Sequence, residues 1–123
     1  MQTSVKVNLK GKEFVVNYPN VGEKIKIENY KVLLTNGQYG DFVRSGHKTC
    51  LDLLDLVDAF SNFAILIKEL NLGIDDFNNM DLKTSSEIKI EYTKVLYPFL
   101  TNLEKQLEEV TINKDDNEPS QTS

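Results

Sequence analysis

Two short stretches near the N-terminus alternate apolar and polar residues. The apolar positions are Val5, Val7, Leu9, Phe14, Val16 and Tyr18. Alternation with a period of two is typical of β-strands, and Gly11-Lys12 between the stretches provides a glycine-containing turn. Pro19 has a fixed φ and no backbone N–H, so the second strand should end at Tyr18. The pattern therefore predicts an N-terminal β-hairpin.

A helix is predicted directly after the hairpin. Asn20 precedes Glu23 by three residues, which is the spacing of a capping box, so the helix should begin near Val21. Its apolar face is imperfect and consists of Ile25, Tyr30, Leu33 and Leu34. Asn36-Gly37 indicates the end of the helix, because both residue types tolerate the left-handed conformation that terminates helices.

The clearest helical periodicity lies in the middle of the chain. Thr49 and Asp52 repeat the capping spacing, and apolar residues then recur at intervals of three and four, as on one face of a helix. These residues are Leu53, Leu56, Val57, Phe60, Phe63, Ala64, Ile67 and Leu70. Because Leu51, Leu54 and Ile65 occupy other angles, this helix should be sandwiched between neighbouring elements.

Glycines mark the connections on either side of the central helix. Gly40 and Gly46 predict a structured loop or short turn before it. After it, Gly73 breaks the periodicity, and Ile74 and Phe77 should place a short helical turn on the core.

A second long helix is predicted in the C-terminal third of the chain. Thr84 and Glu87 supply another capping-box spacing at its start. The apolar residues that follow are Ile88, Tyr92, Val95, Leu96, Phe99, Leu100, Leu103 and Leu107. Pro98 removes one backbone hydrogen bond, so it should kink this helix or divide it around Tyr97.

These elements predict an α+β fold that is mostly α, with the N-terminal β-hairpin packed on a bundle of about three helices. A chain of 123 residues with 40% hydrophobic and 27% charged residues has the size and composition of a globular domain. We assign a single domain to residues 1–110. Residues 111–123 contain Ile112 as their one large apolar residue, and they predict a disordered polar tail.

Charge and cysteine content narrow the class of protein. The chain has 14 basic and 19 acidic residues and a net charge of -5, so the molecule as a whole lacks the positive charge that favours binding to nucleic acid or to an anionic membrane. Cys50 is the only cysteine, so it can form neither an internal disulfide nor a multi-cysteine metal cage. The sequence shows no signal-peptide pattern and no apolar span of about 18 residues. We expect a soluble protein of a reducing cytoplasm.

One cluster could carry nucleophilic chemistry. His47 lies three residues before Cys50, which would sit in the first turn of the central helix. This spacing does not by itself aim an imidazole at the sulfur, and no protease signature surrounds the cysteine. A small first-turn residue beside a loop histidine is therefore favoured over a catalytic pair.

A second cluster offers oxygen ligands of the kind that hard cations prefer. It consists of Asp75, Asp76, Asn78, Asn79 and Asp81. It lacks the central glycine and the terminal glutamate of a calcium-binding loop, so helix caps and turns explain it more simply. We predict no metal, no cofactor and no enzymatic activity.

A basic stretch in the first helix raises the question of nucleic-acid binding. Lys24, Lys26 and Lys31 form this stretch, but Glu23 and Glu28 are interleaved with them. A solvated helix face is favoured over a nucleic-acid patch.

The aromatic residues around Pro98 are candidates for partner binding, because aromatic side chains bury a large area at low entropic cost. Together with the apolar pattern that follows, they predict a partner-binding surface of Tyr92, Tyr97, Phe99, Leu103 and Leu107. The alternative is that these side chains belong to the core, which must be built from such groups. A side chain could also do both.

The order of elements resembles that of the small tail assembly chaperones of tailed bacteriophages over roughly residues 5–107. The resemblance is carried by the hairpin VKVNLKGKEFVVNYP, the segment NVGEKIKIENYKVLLTNGQYG, the helix LDLLDLVDAFSNFAILIKEL and a final helix containing LYPFL. It implies a host-cytoplasmic protein that binds the tape-measure protein and tail-tube subunits and keeps their apolar helices soluble until the tube polymerises. It implies no cofactor and no reaction.

Three hypotheses about function remain open at this point. The first is the assembly chaperone, as a monomer or a small homo-oligomer. The second is a structural adaptor or connector subunit of the virion, in which the hairpin pairs edge to edge with its neighbours. The third is a hydrolase or transferase that uses Cys50 or Asp75/Asp76, although neither cluster meets the geometric requirements of a catalytic site.

Overall fold

The N-terminal hairpin is formed by β1 (Ser4–Leu9) and β2 (Lys12–Asn17). The computed structural model describes the backbone of residues 3–116 and the side chains of residues 3–108. The turn is at Lys10-Gly11, one residue earlier than predicted, and both residues have positive φ (52° and 75°), as a two-residue type I′ turn requires. The second strand ends at Asn17, and Tyr18 adds one further bond, from its N–H to the Thr3 carbonyl at 3.0 Å.

The first helix, α1 (Val21–Leu34), begins and ends where the sequence predicts. The Asn20 Oδ1 accepts the Glu23 N–H at 2.8 Å, and the Glu23 Oε1 accepts the Asn20 N–H at 3.0 Å, which confirms the capping box. At the other end Asn36 and Gly37 have positive φ (54° and 81°) and terminate the helix.

The predicted apolar face of α1 is partly wrong. Ile25 and Leu33 are more than half exposed, whereas Ile27 and Leu34 are buried. Burial follows contact with the central helix, and Ile27, Tyr30 and Leu34 form the stripe at i, i+3 and i+7 that faces it. Ile25 and Leu33 lie at other angles on α1.

A short helix, α2 (Tyr39–Ser45), replaces the loop predicted between the first two helices. Gly46 ends it with a positive φ of 68°. The Tyr39 hydroxyl donates to Asp58 Oδ1 on the next helix at 2.8 Å. This long-range contact stabilises the helix, although the glycines of the segment favour a loop.

The central helix, α3 (Lys48–Leu66), packs against α1 and α2 and against a later helix, so the predicted sandwich is confirmed. The predicted Thr49/Asp52 capping box is wrong. The cap residue is His47, which makes no side-chain cap bond, and the Asp52 Oδ2 instead lies 3.2 Å from Lys48 Nζ. Of the predicted face, Leu53 is exposed.

A 3₁₀ turn (Lys68–Leu70) and α4 (Ile74–Asn78) follow the central helix. The Phe77 ring meets Phe60 edge to face, with the ring centres 5.2 Å apart, which confirms the short helical turn and the predicted packing of Phe77 on the core. The same prediction is wrong for Ile74, which is 40% exposed.

A long helical rod completes the described residues. It consists of α5 (Leu82–Glu91), a π turn (Tyr92–Leu96) and α6 (Tyr97–Asp116). The cap of α5 is Asp81, whose Oδ1 accepts the Thr84 N–H at 2.7 Å, so the predicted Thr84/Glu87 box is wrong. The tail predicted from residue 111 overlaps the end of α6, and residues 117–123 lie outside the described residues.

Glu87 and Glu91 instead bind the hairpin to α5. The Glu91 Oε2 accepts the Asn8 N–H at 2.6 Å, and the Glu87 Oε1 accepts the Lys10 N–H at 2.7 Å. The hairpin thus docks through the outer edge of β1.

The fold class is confirmed as α+β, mostly α, with an N-terminal hairpin. One cluster of buried side chains joins hairpin and helices; it includes Val7, Leu9, Val16, Val57, Phe60, Phe63, Ile88, Leu96 and Phe99. The bundle contains more helical segments than the predicted three, because the short helices α2 and α4 lie in glycine-containing connections.

Candidate functional site

A groove with a cavity volume of about 350 Å³ lies between α1 and α6, and Asn62 of α3 is among its lining residues. We call this cavity the groove. The wall from α1 presents Lys24, Ile27, Glu28 and Lys31, and the wall from α6 presents Tyr97, Leu100, Thr101 and Glu104. Each set has the spacing i, i+3, i+4 and i+7, so each is one continuous stripe of its helix. Pro19 also contributes to the lining.

A small polar cluster joins the two walls. Lys24 Nζ lies 3.6 Å from Glu104 Oε1 and 4.8 Å from the centre of the Tyr18 ring. The Tyr18 hydroxyl donates to the same Glu104 oxygen at 2.8 Å. The pKa of Lys24 is raised, first by the neighbouring Tyr18 hydroxyl and then by Glu104.

The π turn brings two tyrosines into the groove together. Pro98 has no N–H to donate to the carbonyl four residues earlier, and the Tyr97 N–H just before it bonds to the Tyr92 carbonyl across five residues. In a regular α-helix, residues five apart point in directions about 140° apart. In the wider turn the rings of Tyr92 and Tyr97 lie 5.8 Å apart, centre to centre. The interruption predicted around Tyr97 is therefore present, as a π turn.

A second cavity of about 310 Å³ continues from these tyrosines towards α3. We call it the acidic basin, and its lining consists of Asp55, Asp58, Tyr92, Thr93 and Tyr97. Asp55 and Asp58 are one turn apart on α3. The groove and the acidic basin share Tyr92 and Tyr97, so together they form one extended depression.

Lys31 and Asp58 form an ion pair where the two cavities meet. Lys31 Nζ lies 2.8 Å from Glu28 Oε2 and 3.5 Å from Asp58 Oδ1, and its side chain is 13% exposed. Burial raises the pKa of Tyr92, and the nearby Asp58 carboxylate raises it further. Burial and the hydrogen bond to Asp58 likewise raise the pKa of Tyr39.

The five residues predicted to bind a partner separate into three groups. Tyr92 is half-buried and Tyr97 is 52% exposed, and both line the groove. Phe99 and Leu103 are buried at 6% and 5% exposure, and Phe99 packs edge to face on Tyr18. Leu107 is exposed further along α6. Only the two tyrosines are brought together at the cavity.

The sequence contains a signal for the α3 side of the site. Asp55, Asp58 and Asn62 recur at i, i+3 and i+7 along a helix that is otherwise strongly apolar. A polar stripe on a buried helix must face either a polar neighbour or an opening. Lys24 and Lys31, assigned to a solvated face, also belong to the site.

The two clusters considered for chemistry lie outside the groove and the acidic basin. His47 is exposed at the start of α3, and Cys50 is half-buried in its first turn. Asp76 Oδ2 accepts the Gly73 N–H at 2.7 Å, and Asp81 caps α5, so both aspartates act at helix ends. Among the residues with described side chains, no group of three or more His, Cys, Asp or Glu is arranged to hold a metal ion.

Within the described residues, no helix combines the length and the apolar character needed to cross a membrane. Comparison of the chain with family models, curated proteins and solved structures gives no match. A functional proposal therefore has to rest on the geometry of the protein itself, and the extended depression is the site that offers accessible aromatic and charged side chains.

Proposed function

We propose that this protein is a non-enzymatic protein-binding factor that holds a segment of its partner in the groove. The observation that carries this proposal is the pair Tyr92 and Tyr97, placed side by side by the π turn and accessible in a concave site. Tyrosine anchors interfaces because its rigid ring buries a large area and its hydroxyl still finds a polar partner.

The shape and lining of the groove support a polypeptide as its occupant. Its two walls are helical stripes, and such grooves accept amphipathic helices and other elongated segments. Apolar contact is available from Leu100 and the tyrosine rings, while Lys24, Glu28 and Glu104 supply charges of both signs at the rim. A mixed polar rim around an apolar and aromatic centre is typical of protein interfaces.

The resemblance to phage tail assembly chaperones supports a particular partner. On this proposal the protein acts in the host cytoplasm and holds the tape-measure or tail-tube protein before assembly. The apolar helices of such a partner would lie against the tyrosines until they are transferred to the growing tube.

Coexpression tests the proposal. The full chain is produced together with the long helical protein encoded by a neighbouring gene, and the soluble fraction of that partner is measured. We expect wild type to raise this fraction, Tyr97→Ala to lose most of the increase, and Val43→Ala to retain it. Val43 is a matched control, because it is similarly exposed (51%) but lies on α2, away from the groove.

Both variants should melt at temperatures close to that of wild type, since each change removes a side chain that is about half exposed. Failure of wild type to raise the soluble fraction, or an equal loss in both variants, would count against the proposal.

A virion adaptor is the second candidate, and the free edge of the hairpin favours it. The Asn8 N–H group points away from β2, and its partner Glu13 correspondingly points its N–H group away from β1. Because N–H directions alternate along a strand, the N–H groups of Val15 and Asn17 also point away from β1. Within residues 3–108 these three groups make no hydrogen bond. A neighbouring strand could pair with them. Mass spectrometry of purified particles separates the candidates, since an adaptor is present in fixed copy number and a chaperone is absent.

A further inference from the structure

The acidic basin presents acceptors that the folded chain leaves unused. The Asp55 carboxylate makes no hydrogen bond or ion pair with the residues whose side chains are described. Asp58 uses Oδ1 for both Tyr39 and Lys31, and its Oδ2 has no partner among those residues. Asp55 is exposed and the Asp58 side chain is 29% exposed, so a cation can reach both carboxylates from solvent.

Asn62 adds an accessible acceptor on the same stripe of α3, on the side of the groove. It is 5% exposed, and its Nδ2 donates to the Asp58 carbonyl at 2.7 Å. Its Oδ1 accepts no bond from the described residues, yet the side chain lines the groove. A ligand in this depression would therefore contact carboxylate and amide oxygens that have no hydrogen-bond donor among the described residues. These oxygens favour a ligand group with several N–H donors.

The charges around the depression leave it negative. Lys31 lies beside Glu28 and Asp58, and the linings of the two cavities together hold four acidic and two basic side chains. Asp58, Glu28 and Asp55 each raise the pKa of Tyr92 after the larger effect of burial, which is consistent with a negative potential at that ring. A cation next to Tyr92 or Tyr97 would also gain from the ring quadrupole.

We propose that the acidic basin receives an arginine side chain of the bound partner segment, with the guanidinium between the α3 carboxylates and the two tyrosine rings. The inference rests on the proposed function and specifies the chemistry of the partner. Arginine fits better than lysine, because its planar fork bonds two acceptors at once and stacks on aromatic rings. The net charge of -5 is also complementary to a basic segment.

A titration of the full chain tests this inference. The probe is a blocked pentapeptide with arginine at its centre and alanine elsewhere, and the reference is the same peptide with citrulline, which keeps the shape and loses the charge. We expect the arginine peptide to shift the backbone NMR signals of Asp55, Thr93 and Tyr97. We expect it to bind about 5-fold more tightly than the citrulline peptide at low salt, as one exposed charge pair allows. High salt should reduce that preference.

Two variants locate the effect on α3. Asp55→Asn should abolish the preference for arginine. Asp52→Asn should preserve it, since Asp52 is an exposed aspartate of the same helix that pairs with Lys48 outside the acidic basin. Equal binding of both peptides by wild type, equal binding of a lysine peptide, or an equal effect of both variants would overturn the inference.

The outcome is separable from that of the coexpression experiment. If the peptides bind alike while Tyr97→Ala still loses the solubilised partner, the arginine site is wrong and the protein-binding function stands. If wild type has no effect on the partner while the arginine preference depends on Asp55, the chosen function is wrong and the cation site stands.

Discussion

The stability of the protein should depend on the protonation of two phenol groups near the acidic basin, those of Tyr39 and Tyr92. Both side chains are partly withdrawn from water, and both lie near Asp58. Desolvation and a nearby negative charge each disfavour the ionised phenolate, so the pKa of both residues is raised. Tyr92, which lines both cavities, and Tyr39, which donates to Asp58, should therefore both respond to alkaline pH.

We predict that the free energy of unfolding falls as pH rises above about 10, the pKa of an unperturbed tyrosine. Because the folded state holds these two protons more tightly than the unfolded chain, the stabilisation is complete below that pH and is lost as pH increases towards the folded-state pKa values. Urea denaturation at several pH values measures this loss. The decline should be smaller in Tyr92→Phe, and a decline as steep as that of wild type would contradict the prediction.

At the level of elements, the docking of the hairpin depends on matched spacing. Glu87 and Glu91 are four residues apart on α5, about 6.0 Å along a helix, and Asn8 of β1 and Lys10 of the turn are two residues apart, about 6.8 Å in an extended chain. The near match lets one helical turn accept two outward N–H groups of the hairpin. Charge-assisted bonds of this kind satisfy an edge that would otherwise face solvent.

We predict that Glu91→Ala destabilises the protein by about 1 kcal/mol, the usual net value of one hydrogen bond. Hydrogen exchange should accelerate at the Asn8 amide in this variant and at the Lys10 amide in Glu87→Ala. Lys83→Ala, an exposed change on the same helix, serves as the control and should leave both amides protected. Unchanged exchange in the glutamate variants would show that these bonds do not hold the hairpin.

Two elements with local signals were predictable from the sequence, although the capping spacings at Thr49/Asp52 and Thr84/Glu87 were misleading, and α2, which depends on a distant contact, was not predictable. The strand alternation and the Asn20/Glu23 box lie within a few residues of the structures that they form, and both were predicted correctly. The α2 helix depends on the bond from Tyr39 to Asp58, 19 residues away, and the sequence indicated a loop.

Only part of the candidate site was predictable from the sequence. Tyr92 and Tyr97 line the cavity, as their position near Pro98 suggested for a surface site, but Phe99 and Leu103 share that neighbourhood and are buried. Which side of the rod faces the cavity depends on the π turn, whose extra residue shifts the helical register. A period fitted to a regular helix cannot locate that shift.

For the whole molecule, the central observation is that hairpin and helices share one core. Val7 and Val16 of the hairpin are fully buried in the same cluster as Phe60 and Phe63 of α3. Isolated two-stranded hairpins are marginally stable in water, so this one depends on the helices for its structure. The helices in turn bury part of their apolar surface under it.

We predict a single cooperative unfolding transition for the full chain. Far-UV circular dichroism, which reports the helices, and exchange of the Val7 and Val16 amides, which reports the hairpin, should give the same free energy of unfolding within error. A hairpin that opens at a clearly lower free energy than the helices would contradict the shared core.

The cover that α5 places over β1 also limits how copies of this protein can join through their sheets. Unlimited growth into a fibre needs two open edges on every subunit, one to accept a neighbour and one to offer to the next. Here one side is occupied by the glutamates of the subunit's own helix, so two copies that met through β2 would close as a pair and stop. An open strand edge is an aggregation hazard, and Glu87 and Glu91 reduce it along β1 by binding the Asn8 and Lys10 N–H groups.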